Sequence, residues 1–201
     1  GGAEQWLDHL VASNLPKVGR IKLAPMLNQN GKLMGDLTIS RLSEDRFWII
    51  ASYYLQEWHM RWFNEHLPAS GVTIKNLSDD WMGFALSGPN SREIISELVN
   101  VDMSNQSFPF LTCREMEVVD TNAMVARISL TGELGFEINV PVSHQQALYA
   151  ALMNAGKDLG LVNIGNRALD SLRLDKSYGI WNAEFTQGYT PEMSYLKNFI
   201  A

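Results

Sequence analysis

The stretch Gly31-Lys-Leu-Met-Gly-Asp-Leu-Thr-Ile-Ser40 decides how the chain folds, because it places one carboxylate within a largely apolar run. It follows directly on Asn30, and the pair Asn-Gly takes the positive φ angles of a tight hairpin turn. We therefore predict a hairpin with strands over residues 21–27 and 33–40, the second of which carries Asp36. Strand interiors disfavour aspartate. Asp36 is either an aspartate on the solvent face of an edge strand or one placed there for a purpose.

The composition is that of a globular domain. The chain has 201 residues, 46% hydrophobic and 19% charged, which is enough for one domain or slightly more. Its net charge of −6 argues against a nucleic-acid or acidic-membrane partner, because phosphate binding needs a basic surface. No apolar run reaches membrane length. The single Cys113 excludes an internal disulfide and a cysteine-cluster metal site, and it is typical of a reducing compartment.

Hairpin patterns and helical patterns mix along the rest of the chain without strict alternation, which predicts an α+β fold with antiparallel or mixed sheets and packed helices. Apolar spacing and cap residues predict helices over residues 3–12, 52–66, 91–99, 143–154 and 166–176. Strands are predicted over residues 46–51, 72–76, 81–86, 115–119, 124–130 and 136–140. Residues 46–51 are apolar enough for a central strand, and Gly156 is expected to stop the fourth helix.

A second carboxylate, Glu137, lies in the strand predicted after a glycine-rich turn. It projects opposite to Phe136 and Ile138. Glu137 is therefore either solvated on an outer face or directed into a pocket, where it binds N–H donors. The histidines at 59 and 66 lie on one predicted helix without a third ligand, so we expect no metal site. Arg173, near the end of the last helix, is expected to pair with a nearby carboxylate.

Four segments of the chain occur in the order of one known family. They are Gly31-Lys-Leu-Met-Gly-Asp36-Leu, Ser87-Gly-Pro-Asn-Ser-Arg92, Thr131-Gly-Glu-Leu-Gly-Phe-Glu137 and Asp170-Ser-Leu-Arg-Leu-Asp175. Over nearly its whole length the chain resembles the tetrahydrofolate-binding aminomethyltransferase fold of the glycine-cleavage T protein. Residues 108–112, 174–181 and 189–191 resemble more closely the folate half of dimethylglycine and sarcosine dehydrogenases.

The resemblance implies roles for particular residues. Asp36 matches the catalytic aspartate, which lies near N5 and N10 of the folate. Glu137 matches the carboxylate that hydrogen-bonds the pterin ring, so both acids are expected to line one cavity. Tyr178, Met34 and Leu130 fall at positions expected to contact the folate.

Two positions depart from the T-protein pattern. Leu130 stands where that protein has a tyrosine, and Leu169 stands where it has a folate-contacting arginine. These departures favour a reaction other than glycine cleavage with its lipoyl-protein partner. They leave the two carboxylates of the pterin site in place.

The activity implied by the resemblance is tetrahydrofolate-dependent transfer of a one-carbon unit from a methylated amine such as dimethylglycine or sarcosine. We expect residues 1–201 to be one folate-binding domain truncated at both ends, with FAD confined to an upstream oxidase domain. A non-catalytic binding module of the same fold, or a demethylase of another methyl donor, are the alternatives. The expected location is the cytoplasm, or the mitochondrial matrix in a eukaryote. The methyl donor and the oligomeric state are left open.

Overall fold

The structure, a computed structural model, describes residues 2–201 and divides them into two compact units. The first unit combines residues 2–76 with Gly179–Ala201, and the second is Leu77–Tyr178. Each unit has its own sheet, with antiparallel pairing throughout and helices packed beside it. The α+β class predicted from the sequence is therefore confirmed.

The first unit contains a three-stranded sheet in the order β1-β2-β3. Its elements in chain order are helix α1 (Gly2–Leu10), strands β1 (Ile21–Leu27), β2 (Leu33–Ser43) and β3 (Arg46–Ile50), a 3-10 turn (Tyr53–Leu55), helix α2 (Gln56–Glu65) and a 3-10 turn (Lys197–Phe199). Its main core is built from apolar side chains of the two helices and the sheet: Leu7, Leu10, Val11, Ala24, Met26, Met34, Leu37, Ile39 and Phe63.

The predicted hairpin is confirmed. Asn28 closes its loop, because the backbone N–H of Asn28 donates to the carbonyl of Lys32, and the Asn28 side-chain oxygen accepts from the backbone N–H groups of Asn30 and Lys32. Gly31 has φ +69°, a left-handed value as predicted, whereas Asn30 does not take a positive φ. The C-terminal segment then packs beside the hairpin, and the N–H of Leu33 donates to the carbonyl of Tyr189 at 2.9 Å.

Two strand predictions in this unit are wrong. Strand β3 is an edge strand, because β2 occupies the centre and pairs on both sides. Phe47 and Ile49 of β3 still pack against the core, so their apolar character reflects one covered face rather than a central position. Residues 72–76 form no strand. Half-buried and exposed side chains alternate along these residues, and Ile74 packs against the core. None of the strands described for the chain pairs with residues 72–76.

The second unit contains a four-stranded sheet in the order β4-β7-β6-β5. Its elements in chain order are strand β4 (Trp81–Ser87), helix α3 (Ser91–Ser96), strands β5 (Cys113–Val118), β6 (Thr121–Ala126) and β7 (Gly135–Pro141), a 3-10 turn (Val142–His144), helix α4 (Gln145–Gly156), a 3-10 turn (Lys157–Leu159) and helix α5 (Asn166–Asp175). The core lies between the sheet and helices α3 and α4, and it includes Leu86, Ile95, Phe108, Val125, Phe136, Ile138, Leu148 and Leu152.

Several boundaries differ from the prediction for local reasons. Strand β6 begins at Thr121 because Val119 and Asp120 take φ +49° and +60° and form a tight turn. Helix α4 ends at Gly156 as predicted, and the 3-10 turn that follows it directly ends at Gly160, which has φ +75°. Ser143 bonds to His144 rather than capping the helix. Helix α3 ends at Ser96 and not at residue 99.

Candidate functional site

Asp36 lies on the central strand of the first unit, at a point where the sheet is incomplete. Across β1 its register partner is Pro25, which has no backbone N–H to donate. On the other side the pairing with β3 begins only at Thr38. The sheet therefore gives Asp36 few backbone neighbours.

The carboxyl group of Asp36 is largely shielded from water and is only partly compensated. Its Oδ1 atom is buried and has no hydrogen-bond partner among the residues that the structure describes. Burial raises the pKa of Asp36 from 3.8 to about 6, and a hydrogen bond to its own backbone lowers it only in part. A carboxyl group with a pKa near neutral can both accept and release a proton at physiological pH, which suits acid–base chemistry.

Met34 has its side chain in the core of the first unit and is 7% exposed. It precedes Gly35, and the space that a side chain at this position would need is filled by His59 and Met26. A Cβ atom at Gly35 would lie 2.5 Å from Nε2 of His59 and 3.1 Å from the terminal methyl of Met26. The backbone on the N-terminal side of Asp36 is thus tightly enclosed.

Glu137 lies on β7, the strand between β4 and β6. Its register partners are Ala85 on β4 and Ala126 on β6, both of which have short side chains. Phe136 and Ile138 are fully buried on the opposite face, which confirms the predicted alternation. Glu137 itself is half-buried, and burial raises the pKa of its carboxyl group.

Asn139 is a further polar residue on β7, and no motif or spacing in the sequence marks it. It follows Glu137 by two positions on β7 and so lies on the same face of the sheet. Its Nδ2 atom is buried and lacks a hydrogen-bond partner in the described part of the chain. Its Oδ1 atom would lie 2.5 Å from a Cβ atom at Gly83, so this face is built close around the amide.

Tyr178 and Leu130 are partly open to solvent, at 44% and 38% exposure. Tyr178 follows α5 and is held by Arg173. The backbone N–H of Tyr178 donates to the Arg173 carbonyl at 3.0 Å, and Nη1 of Arg173 donates to the Tyr178 carbonyl at 2.9 Å. Nε of Arg173 lies 2.9 Å from Oδ1 of Asp170, which confirms the predicted ion pair.

The predicted site residues belong to both units. Asp36 and Met34 lie in the first, and Glu137, Leu130 and Tyr178 lie in the second. That the two carboxylates line one cavity stays a prediction. Two open hollows of about 560 and 780 Å³ in the first unit are lined by α1 and its neighbours and include neither Asp36 nor Met34. We therefore define the candidate site by its buried polar groups and not by these hollows.

In residues 2–201, no three side chains among histidine, cysteine, aspartate and glutamate are grouped so as to hold a metal ion. No helix in the same residues has the length and apolar character required to span a membrane.

The fold and the carboxylate-bearing strands define the class of protein. The chain belongs to the family described as the GCVT N-terminal domain, whose model matches residues 1–201. The solved structure of glycine cleavage system aminomethyltransferase T from Bartonella henselae has the same fold, with a TM-score of 0.84 at 23% identity, and the match covers 99% of this chain and 54% of that one.

Relatives of this chain carry two different names. Human mitochondrial dimethylglycine dehydrogenase is 34% identical over 196 residues, which cover 96% of this chain and 23% of the human protein. The aminomethyltransferase of Chlorobium phaeovibrioides is 32% identical over 198 residues, which cover 97% of this chain and 54% of that protein. The chain thus spans between about a quarter and a half of the length of these relatives.

Proposed function

We propose that this chain binds tetrahydrofolate and transfers to it a one-carbon unit from a methylated amine such as dimethylglycine or sarcosine. The observation that carries the proposal is the buried Oδ1 atom of Asp36, which has no hydrogen-bond partner among the described residues, in the residue that the resemblance implies to be catalytic. The names of the relatives, an aminomethyltransferase and a dimethylglycine dehydrogenase, supply the reaction class.

Glu137 is proposed to recognise the pterin ring. One edge of the pterin presents N–H groups in parallel, and a carboxylate can accept two of them in strong charge-assisted bonds. The short side chains of Ala85 and Ala126 beside Glu137 support this role, because they take up less of the space beside the carboxylate than longer side chains would. Leu130 and Tyr178 are proposed to provide apolar contacts to the ring, and their partial exposure leaves them accessible to a ligand.

Asp36 is proposed to act at the reacting atoms. The amine must arrive already oxidised to an iminium, because loss of hydride from its methyl group requires a separate two-electron acceptor such as a flavin. N5 of tetrahydrofolate would then form a bond to the iminium carbon while the carbon–nitrogen π electrons return to the amine nitrogen. N10 then bonds to the same carbon and the protonated amine leaves with the two hydrogens that N5 and N10 lose. The Asp36 carboxylate stabilises the positive iminium and relays a proton from folate nitrogen to amine nitrogen.

Isothermal calorimetry with 5-formyltetrahydrofolate tests the binding step. Wild-type chain is expected to bind, and Glu137→Gln is expected to lose roughly 10- to 100-fold in affinity, because a neutral amide accepts weaker bonds from the N–H groups. Glu117→Gln is the matched control, since Glu117 is an exposed carboxylate on strand β5 of the same sheet. Absence of binding by the wild type, or equal affinities of wild type and Glu137→Gln, would contradict the proposal.

A further inference from the structure

The strand that carries Asp36 contains a β-bulge two residues earlier, at Met34. Leu33 pairs with Leu27 and Gly35 pairs with Met26, so Met34 has no register partner on β1. It has none on β3 either, because the β2–β3 pairing begins at Thr38. A bulge bends its strand and redirects the side chains that follow. The direction in which Asp36 points therefore depends on what holds the bulge.

His59 of helix α2 holds it. The Nε2 atom of His59 lies 3.2 Å from the carbonyl oxygen of Met34, and the imidazole is only 2% exposed. A carbonyl oxygen can only accept, so Nε2 must carry a hydrogen. Burial lowers the pKa of His59, which favours the neutral form of the ring.

The imidazole of His59 is also held by aromatic side chains of its own helix, α2. Its ring centroid lies 5.7 Å from that of Trp58 and 6.0 Å from that of Phe63 on the same helix. Gly35 permits its approach to the strand, because a Cβ atom there would be 2.5 Å from Nε2. The glycine, the bulge and the histidine thus form one arrangement, in which a rigid helix donates a hydrogen bond to the irregular point of β2.

We propose that His59 is a positioning residue for Asp36: its Nε2–H fixes the Met34 bulge and thereby the direction and enclosure of the carboxyl group two residues later. The functional meaning of this role rests on the proposed function, in which Asp36 acts on the one-carbon unit. The geometric claim itself requires no folate.

The test is a carbon-13 NMR titration of the Asp36 carboxyl group in this chain, without ligand. In the wild type it should titrate well above the ordinary aspartate value. In His59→Leu the pKa should fall by about one unit or more, because a released strand admits water to the carboxylate. His59→Gln should keep the wild-type value, since its amide can donate from nearly the same point. His66→Leu is the control, because His66 bonds only within α2 and its cap, to the Trp62 carbonyl at 2.9 Å.

An unchanged Asp36 titration in folded His59→Leu would overturn the proposal, and so would a shift in His59→Gln as large as in His59→Leu. If His59→Leu does not fold, nitrogen-15 NMR of the wild-type imidazole decides. A hydrogen on Nε2 at pH 7 supports the proposal, and a neutral ring protonated only at Nδ1 refutes it, because that ring has no hydrogen to donate to the Met34 carbonyl. Because neither measurement uses folate, a failure here is distinct from a failure to bind 5-formyltetrahydrofolate.

Discussion

Asp36 faces Pro25 across the β1–β2 pair, so the acid of the candidate site lies opposite the residue type that has no backbone N–H. The bulge at Met34 and the late start of β3 pairing, at Thr38, further reduce the regular sheet around it. A carboxylate in a fully paired strand would be surrounded by backbone N–H and C=O groups that already bond to the neighbouring strands. Here the sheet is interrupted where the charge lies, as expected where structure is adapted to chemistry rather than to stability.

The first prediction concerns the stability cost of Asp36. Its pKa is raised from 3.8 to about 6, so the folded state holds the proton more tightly than the unfolded state does. The ionised carboxylate therefore destabilises the fold fully above pH 6, and the penalty disappears as the pH falls towards 4. We expect Asp36→Asn to raise the free energy of unfolding by roughly 1–3 kcal/mol at pH 7.

Urea unfolding at pH 7 and pH 4.5 measures this effect. The advantage of Asp36→Asn should shrink at the lower pH, where the wild-type carboxyl group is largely protonated in the folded state. A variant that is less stable than the wild type at pH 7 would show that the carboxylate is stabilised by partners, contrary to its unpartnered Oδ1 atom.

The second prediction concerns Gly35. A methyl group there would lie 2.5 Å from Nε2 of His59, and the imidazole is held by its ring contacts and cannot easily move aside. Gly35→Ala should lower the free energy of unfolding by about 1–3 kcal/mol, as overpacking of a filled core does. Gly188→Ala is the matched control in the same unit, because its nearest atom, Oγ1 of Thr186, lies at an ordinary 3.6 Å. Equal stabilities of the two variants in urea would contradict the close approach of His59 to the backbone at Gly35.

The third prediction concerns Arg173, whose planar guanidinium joins Asp170 to the Tyr178 carbonyl. A lysine ammonium is a single point charge and cannot make both bonds in the same directions. Arg173→Lys should therefore destabilise the second unit by about 1–3 kcal/mol, because a buried polar group loses a partner. Arg167→Lys changes an exposed arginine on the same helix and should be neutral. Thermal unfolding of the two variants compares their stabilities directly. A melting temperature of Arg173→Lys equal to that of the wild type would show that the pair of hydrogen bonds from Arg173 contributes little to stability.

The hairpin and the two carboxylate strands could be predicted from the sequence because their signals are local. Asn30-Gly31 fixes the turn, and the alternation around Glu137 separates its side chain from those of Phe136 and Ile138. The failures arose where pairing decides the outcome. Residues 46–51 form a continuous apolar run after Arg46 and residues 72–76 alternate, yet the first segment is an edge strand and the second pairs with none of the described strands.

The two acids of the candidate site could be predicted from the sequence, but the structure around Asp36 could not. The bulge at Met34 depends on a register shift between β1 and β2. No residue type in either strand predicts that shift. The bond from His59 joins residues 25 positions apart. The sequence indicated only that His59 lay on a mostly apolar helix face, where a histidine with a satisfied bond and a metal ligand look alike.

The most direct test of the account is the rate at which this chain converts tetrahydrofolate and formaldehyde to methylenetetrahydrofolate. In this reaction the carbon bonds to N5 and N10, and its oxygen leaves as water. The wild type and the control Asp8→Asn, an exposed aspartate on α1, should exceed the spontaneous rate by roughly 100-fold or more, as expected for acid–base catalysis. Asp36→Asn should return the rate to near the spontaneous value while still binding 5-formyltetrahydrofolate. Equal rates of wild type and Asp36→Asn, or no acceleration by either, would contradict a catalytic role for Asp36 and favour a binding module that performs no transfer.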